Sequence, residues 1–450
     1  MRWSNVGWWL AGIPLLAAAD VRVERTQSLV MDSAAPLQAG DVLLAYRVDG
    51  RRVAIDSAFD LRLAQALHLP GKALQMELRR AEAPTTATLS FGVADIDIRA
   101  DSERSPAGIL DQAWIDAITA QDWPLTHRLR DQALLQWQAA AAEFARLRGA
   151  TTLFAERDFD GCVAWIETQD AQVRQPLLRA QWLEQLNHCI GYSGTGDWRR
   201  GSAALDQASE LLADAAPHSL LKARIDALRA QILSFSDGVA GRAQVEAAIA
   251  AGLTGCGRCE AVGVMYQQAG DVYSNVNAYA ESERAYRESV TYARALHADS
   301  DSLAMRLRPM ARALRVMGHY DEAWSVASEA LAALRASTMP ESAQIPFING
   351  LGTIAANRGD FHLAAEQFRK ALDLGTATGS TSSDLANARA NYGWILLQLG
   401  ELSAAEVELR QALALLDYDG GIHLAVVLGM LADLEIRRGN DEQALAVLDQ

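Results

Sequence analysis

The sequence predicts a mainly α protein: an α-solenoid of about eight helical hairpins, repeating at about 41 residues, behind a small α+β module. Three observations predict it. Residues 385–417, LANARANYGWILLQLGELSAAEVELRQALALLD, read as two amphipathic helices joined at Gly400, because Tyr392, Leu396, Leu399, Leu409 and Leu413 recur on helical faces. The same template returns in windows that begin at Ala142, Trp182, Lys222, Gly263, Ala304, Ile345, Ala386 and Ala425, at steps of 39 to 41 residues. Upstream, residues 20–98 alternate apolar and polar residues between Gly and Asp turns, which is a strand pattern.

Each window needs small residues where its two helices cross, since long side chains would hold them apart. The middle of the first helix (helix A) supplies Gly149, Cys189, Arg229, Gly270, Ala311, Gly352, Gly393 and Ala432, with Arg229 as the exception. The second helix (helix B) supplies Gly161, Gly201, Gly241, Ser282, Ala323, Ala364, Ala405 and Ala444. Seven positions later come Thr168, Ala208, Ala248, Ser289, Ala330, Ala371 and Ala412. The set Tyr392–Gly393, Leu396, Gly400, Ala405, Leu409 and Ala412 resembles a tetratricopeptide repeat. That family's unit is about 34 residues, so the extra length belongs in longer helices or in loops such as 375–384. The resemblance implies a solenoid whose helix A residues line an inner, concave, protein-binding surface.

Composition narrows the function classes. Half of the 450 residues are hydrophobic and the net charge is −15, which permits a fully folded chain and works against non-specific nucleic-acid binding. Of the four cysteines, Cys162 and Cys189 fall in helical patterns and read as small core residues. Cys256 and Cys259 form a CxxC, read as two loop thiols or, in an exported protein, a local disulfide. A zinc site would need a second ligand pair.

Residues 1–19 read as a signal-like leader: Arg2, an apolar run from Val6 to Leu16, then three alanines. This favours export over a cytoplasmic location and confines membrane contact to those residues. From 20 to 98 the order is strand (DVRVERT), strand and strand (around GDVLLAYRVDGRRV), helix (DSAFDLRLAQALHL), strand (KALQMELRRAE) and a last strand (TATLSFG). Ser33–Ala34–Ala35, Gly40–Asp41–Val42–Leu43–Leu44, Asp49–Gly50, Asp60–Leu61 and Pro70–Gly71 give this stretch a resemblance to a bacterial PDZ domain. Such domains add a peptide as a strand at a sheet edge. The family's carboxylate loop would fall at residues 11–14, inside the leader, which leaves peptide capture and a docking role as alternatives. Residues 99–126 read as a linker and a short helix, and 127–450 as the solenoid.

The helix A face carries the candidate site. Arg308, Arg312 and Arg315 stand at i, i+4 and i+7 on one face. Gln267, Asp271 and Ser274 precede them one window earlier, and Asn349, Thr353, Asn387 and Trp394 follow in later windows. Guanidinium groups match carboxylates, so these ten residues are expected to line a groove for a carboxylate-rich protein or peptide. No GxSxG, HExxH, P-loop or kinase motif occurs, and neither an enzyme nor a cofactor is expected. The module order resembles bacterial proteins in which a PDZ-like segment and tetratricopeptides precede a caspase-like CHAT peptidase domain, which implies recruitment for an effector beyond Gln450. A self-contained envelope scaffold and the sensing arm of a regulator stay open.

Overall fold

The computed structural model describes residues 21–26, 38, 40–68, 74–81, 83–89, 96–100, 105–193, 197–296, 298–337, 339–380, 383–416 and 422–449. The leader, Ser33–Ala34–Ala35 and Pro70–Gly71 lie outside them. The chain forms two compact units, 1–226 with 251–259, and 227–250 with 260–450.

The first unit begins with an antiparallel sheet of β1 (Val21–Thr26), β2 (Val42–Val48), β3 (Arg51–Ala54), β4 (Leu74–Arg80), β5 (Ala83–Leu89) and β6 (Ile96–Ala100). The strand order is β5-β4-β2-β1-β6, with β3 also on β2. In β4, alternation buries Leu74, Met76 and Leu78 on one face. The helix α1 (Ala58–His68) covers that core with Leu61 and Ala64. At the β2–β3 turn both Asp49 and Gly50 have positive φ, a conformation these two residue types tolerate. Asp41, of the Gly–Asp motif, is buried and held by Arg80 through two 2.7 Å hydrogen bonds. Burial alone would raise its pKa, yet the Arg80 and Gln38 hydrogen bonds hold it below the ordinary carboxylate value.

Within residues 99–126, read as linker and short helix, the last two residues of a strand come first, and the expected short helix lies at 106–119. Strand β6 closes the sheet, and α2 (Pro106–Thr119) and α3 (Trp123–Gln136) follow. Phe59 and Leu63 of α1 pack with Leu110, Trp114 and Trp137, so the apolar outer side of α1 needs these helices to leave water. Asp111 is fully buried between Arg62 of α1 and Arg148 of the next helix. Arg148 also lies over the Trp114 and Phe144 rings.

Among the described residues eight hairpins follow, each at a predicted window. The first are α4 (Ala139–Glu156) with α5 (Phe159–Gln169), α6 (Pro176–Tyr192) with α7 (Trp198–Ala215), and α8 (Leu220–Leu233) with α9 (Gly238–Cys256). The second unit continues with α10 (Glu260–Asn275) and α11 (Tyr279–Ala295), α12 (Ser300–Val316) and α13 (Tyr320–Arg335), and α14 (Ile345–Asn357) and α15 (Phe361–Ala377). It closes with α16 (Ser383–Leu399) and α17 (Leu402–Leu415), then α18 (Ile422–Arg437) and α19 (Asp441–Leu448). Asp158, Asp197, Asp237 and Asp360 each cap the start of a helix B by accepting a backbone N–H hydrogen bond. Six of the A-to-B turns use one left-handed residue: Arg157, Asn277, Gly318, Gly359, Gly400 and Gly439.

The small-residue rule holds, with a physical reason that differs from the expected one. At Gly149, Gly270, Gly352 and Gly393 the space is filled by a large helix B side chain sixteen residues on: Trp165, Tyr286, Phe368 and Leu409. The exception at Arg229 also resolves. The tight crossing in that hairpin falls one residue later, where Gly241 lies against the Ala230 carbonyl and Ser234. Cys162 and Cys189 are buried as expected, but they are joined as a disulfide linking α5 to α6. Cys256 and Cys259 form the local disulfide.

Candidate functional site

The predicted groove residues sit on α10, α12, α14 and α16, the A helices of four successive hairpins in the second unit. Helical spacing places Arg308, Arg312 and Arg315 along one face of α12, and the structure gives each a different setting. Arg308 is exposed, with its guanidinium 5.5 Å from the Phe347 ring centroid. Arg312 donates from Nη2 to Asp271 Oδ1 at 3.2 Å and lies 3.5 Å from Tyr286 Oη through the same nitrogen. Its side chain stays 58 % exposed, and both of these contacts use the one nitrogen. Arg315 donates from Nη1 to Asn357 Oδ1 at 2.9 Å, and burial pulls its pKa down.

Asp271 is the hub. Tyr286 Oη donates to its Oδ1 at 2.5 Å, and Gln231 Nε2 donates to its Oδ2 at 3.1 Å. Burial is the largest influence and raises the carboxyl pKa, against the lowering effects of Tyr286, Arg312 and Arg308. The same burial, together with the neighbouring Asp271 charge, pushes the Tyr286 hydroxyl well above its ordinary value. Asp271 therefore serves as an internal acceptor that cancels part of the arginine charge. The expected stripe of three open cations reduces to Arg308 and the outer side of Arg312.

Further along, Asn391 Nδ2 donates to Asn349 Oδ1 at 2.9 Å, and Thr353 Oγ1 donates to the Asn349 carbonyl. Trp394 meets Phe361 edge-on at 6.2 Å. Gln267, Ser274 and Asn387 are half-buried, and among the described residues their side chains have no hydrogen-bond partner. The face thus has two layers: a sewn layer centred on Asp271 and Asn349, and open polar groups at Gln267, Ser274, Arg308 and Asn387.

Sequence reading missed Tyr286, Gln231, Asn357 and Asn391. Three of them lie one repeat from their partners, at separations of 40 to 42 residues: Gln231 to Asp271, Arg315 to Asn357, and Asn349 to Asn391. The repeat length itself was the available signal. Tyr286 reaches the A face from helix B because Gly270 leaves room for its ring. A second buried cation, Arg306, bonds Ser289 and Glu260 inside the repeat core; burial lowers its pKa to about 10. Its inward position excludes it from the face. Among the described residues no cluster of His, Cys, Asp or Glu could hold a metal ion, and no helix is long and apolar enough to cross a membrane.

Residues 344–417 match the tetratricopeptide repeat family model. No curated protein matches the chain. Among solved structures, NprR in complex with its cognate peptide NprX is 12 % identical, with a TM-score of 0.51 over 78 % of this chain and 89 % of that one. The apo form of the quorum sensor NprR from B. thuringiensis is 12 % identical, with a TM-score of 0.45 over 76 % of this chain and 96 % of that one. Apo RapI is also 12 % identical, with a TM-score of 0.47 over 76 % and 96 %. The fold is thus a tetratricopeptide-like array of helical hairpins, with the family's own sequence pattern in residues 344–417.

Proposed function

We propose that this protein is a non-enzymatic scaffold whose helix A face in the second unit takes a carboxylate-bearing protein or peptide. One observation carries the reading: Arg308 and the largely exposed Arg312 of α12 keep unpaired nitrogens, with unpartnered polar groups at Gln267 and Ser274 of α10 and at Asn387 of α16, although the neighbouring polar groups are satisfied internally. Such donors along one run of A helices suit an extended acidic chain, because guanidinium forks pair carboxylates with directionality. NprR, similar in fold, has been solved with a peptide bound.

The antiparallel sheet, the Asp49–Gly50 turn and the position of α1 support reading residues 20–98 as a PDZ-like module. A docking role for it is favoured by the use of α1's outer side against α2 and α4. The two disulfides support export to an oxidising compartment.

The test is titration of the full chain with acidic peptides of defined sequence. Read as NMR shifts at the helix A residues Gln267, Asn349 and Asn387, binding is expected to weaken about tenfold with Arg308→Ala, which leaves the hydrogen bonds of Asp271 intact, and to vanish from those residues in the triple change of Arg308, Arg312 and Arg315 to Ala. Helicity should be unchanged by circular dichroism. Shifts at those helix A residues that survive the triple change would discard the reading.

A further inference from the structure

A recess in the second unit is lined mostly by helix B residues and by none of Arg308, Arg312 and Arg315. It is a cavity of about 470 Å³ between α13, α14 and α15, bordered by the short 3-10 turn Glu341–Gln344. Leu331, Ile348, Leu351 and Leu374 make an apolar floor. Arg335, at the end of α13, and Lys370, on α15, stand at its border and are both exposed. Arg335 commits only Nε, donating to Gln344 Oε1 at 3.1 Å, which leaves both terminal nitrogens. Lys370 contacts Glu366 in an i,i+4 pair whose members are both more than half exposed, a pair that a ligand carboxylate can displace at little cost.

Gln367 also lines the recess and is 9 % exposed; among the described residues its amide makes no hydrogen bond, and its polar atoms are not sealed from solvent, so they can meet a ligand that enters the recess. Exchanging water for a partner that supplies both a donor and an acceptor leaves neither group of the amide unpaired over the apolar lining. The amide offers one acceptor and two donors, which complements the N–H and C=O of a peptide bond. A fatty acid would fill the floor and meet the cations, but it brings no donor for Oε1.

We infer that this recess binds an acidic peptide segment of a partner protein, with one aliphatic side chain on the leucine floor. Flanking Glu or Asp carboxylates meet Arg335 and Lys370, and the peptide backbone pairs with Gln367. No chain end is required. The inference is independent of the helix A reading, because the two sites share no residue.

The probe is acetyl-Gly-Glu-Leu-Glu-Gly-amide, titrated into the full chain carrying labelled Leu and Ile methyl groups and followed by NMR, which detects even millimolar binding. Saturable shifts at Ile348, Leu351 and Leu374 are expected. The Glu-Ala-Glu and Lys-Leu-Lys analogues should bind at least about tenfold more weakly. The double change Arg335→Glu with Lys370→Glu, and separately Gln367→Leu, should each weaken the acidic peptide, read at these three methyl groups, by a similar factor, whereas Arg410→Ala, outside both sites, should leave those shifts unchanged. Absence of shifts in the floor methyls, equal binding of the Lys-Leu-Lys peptide, or full binding by the double variant would overturn the inference. Decanoate binding lost on Gln367→Leu would overturn it too, since that outcome assigns the amide to a lipid.

Discussion

The hairpins α14 to α17 and the hairpins α4 to α7 share one backbone plan and close it by different chemistry. In the later pair the fit is steric: a Cβ on Gly352 would stand 2.5 Å from the Phe368 ring, and one on Gly393 would stand 2.7 Å from Leu409. Their turns use glycine, Gly359 and Gly400, for the left-handed residue. In the earlier pair the fit is looser, with a Cβ on Gly149 at 3.0 Å from Trp165, and Arg157 occupies the left-handed position. What steric fit does not supply there, the Cys162–Cys189 bond and the buried Arg62–Asp111–Arg148 group do. A hairpin can thus be closed by shape, while a covalent bond from α5 to α6 and a buried charge joining α1, α2 and α4 tie the elements around it. Residues 344–417, which match the family model, span this shape-locked stretch.

That contrast can be broken at its strongest point first. Asp111→Ala leaves two guanidinium groups facing each other without their shared anion; a loss of about 3–5 kcal/mol is expected in urea unfolding. A loss below about 1 kcal/mol would show that water reaches this group. Changing both Cys162 and Cys189 to Ala is expected to cost about 2–4 kcal/mol, mostly through a freer unfolded chain. The same unfolding experiment with and without reductant gives the check: the wild type should fall to the level of the double variant, which itself should not respond at that site.

Smaller effects sharpen the steric half. Gly352→Ala should cost about 1–3 kcal/mol because the Phe368 ring must move within a filled core, while Gly149→Ala should cost under about 1 kcal/mol. Equal losses would remove the distinction between tight and loose crossings. The turn residues should respond in opposite directions. Gly400→Ala loses about 1 kcal/mol, and Arg157→Gly gains up to about 1 kcal/mol by relieving a left-handed non-glycine residue. Thermal melts of the two variants read the sign directly.

The sequence by itself determined the hairpins and their beat. Apolar spacing and small crossing residues are local signals, and local signals fix helices and turns. It also placed the strand pattern before β6 and put Arg308 and Arg312 on one helix face. Only the tertiary structure decided which polar groups stay open, because the partners of Asp271, Arg315 and Asn349 come from neighbouring repeats and from the Tyr286 ring passing over Gly270. It also decided that Cys162 and Cys189 pair, since two buried cysteines 27 positions apart satisfy helical periodicity equally well free or bonded. Periodicity reports which face a residue occupies. What that residue meets there depends on distances between elements, and those are set only when the hairpins pack.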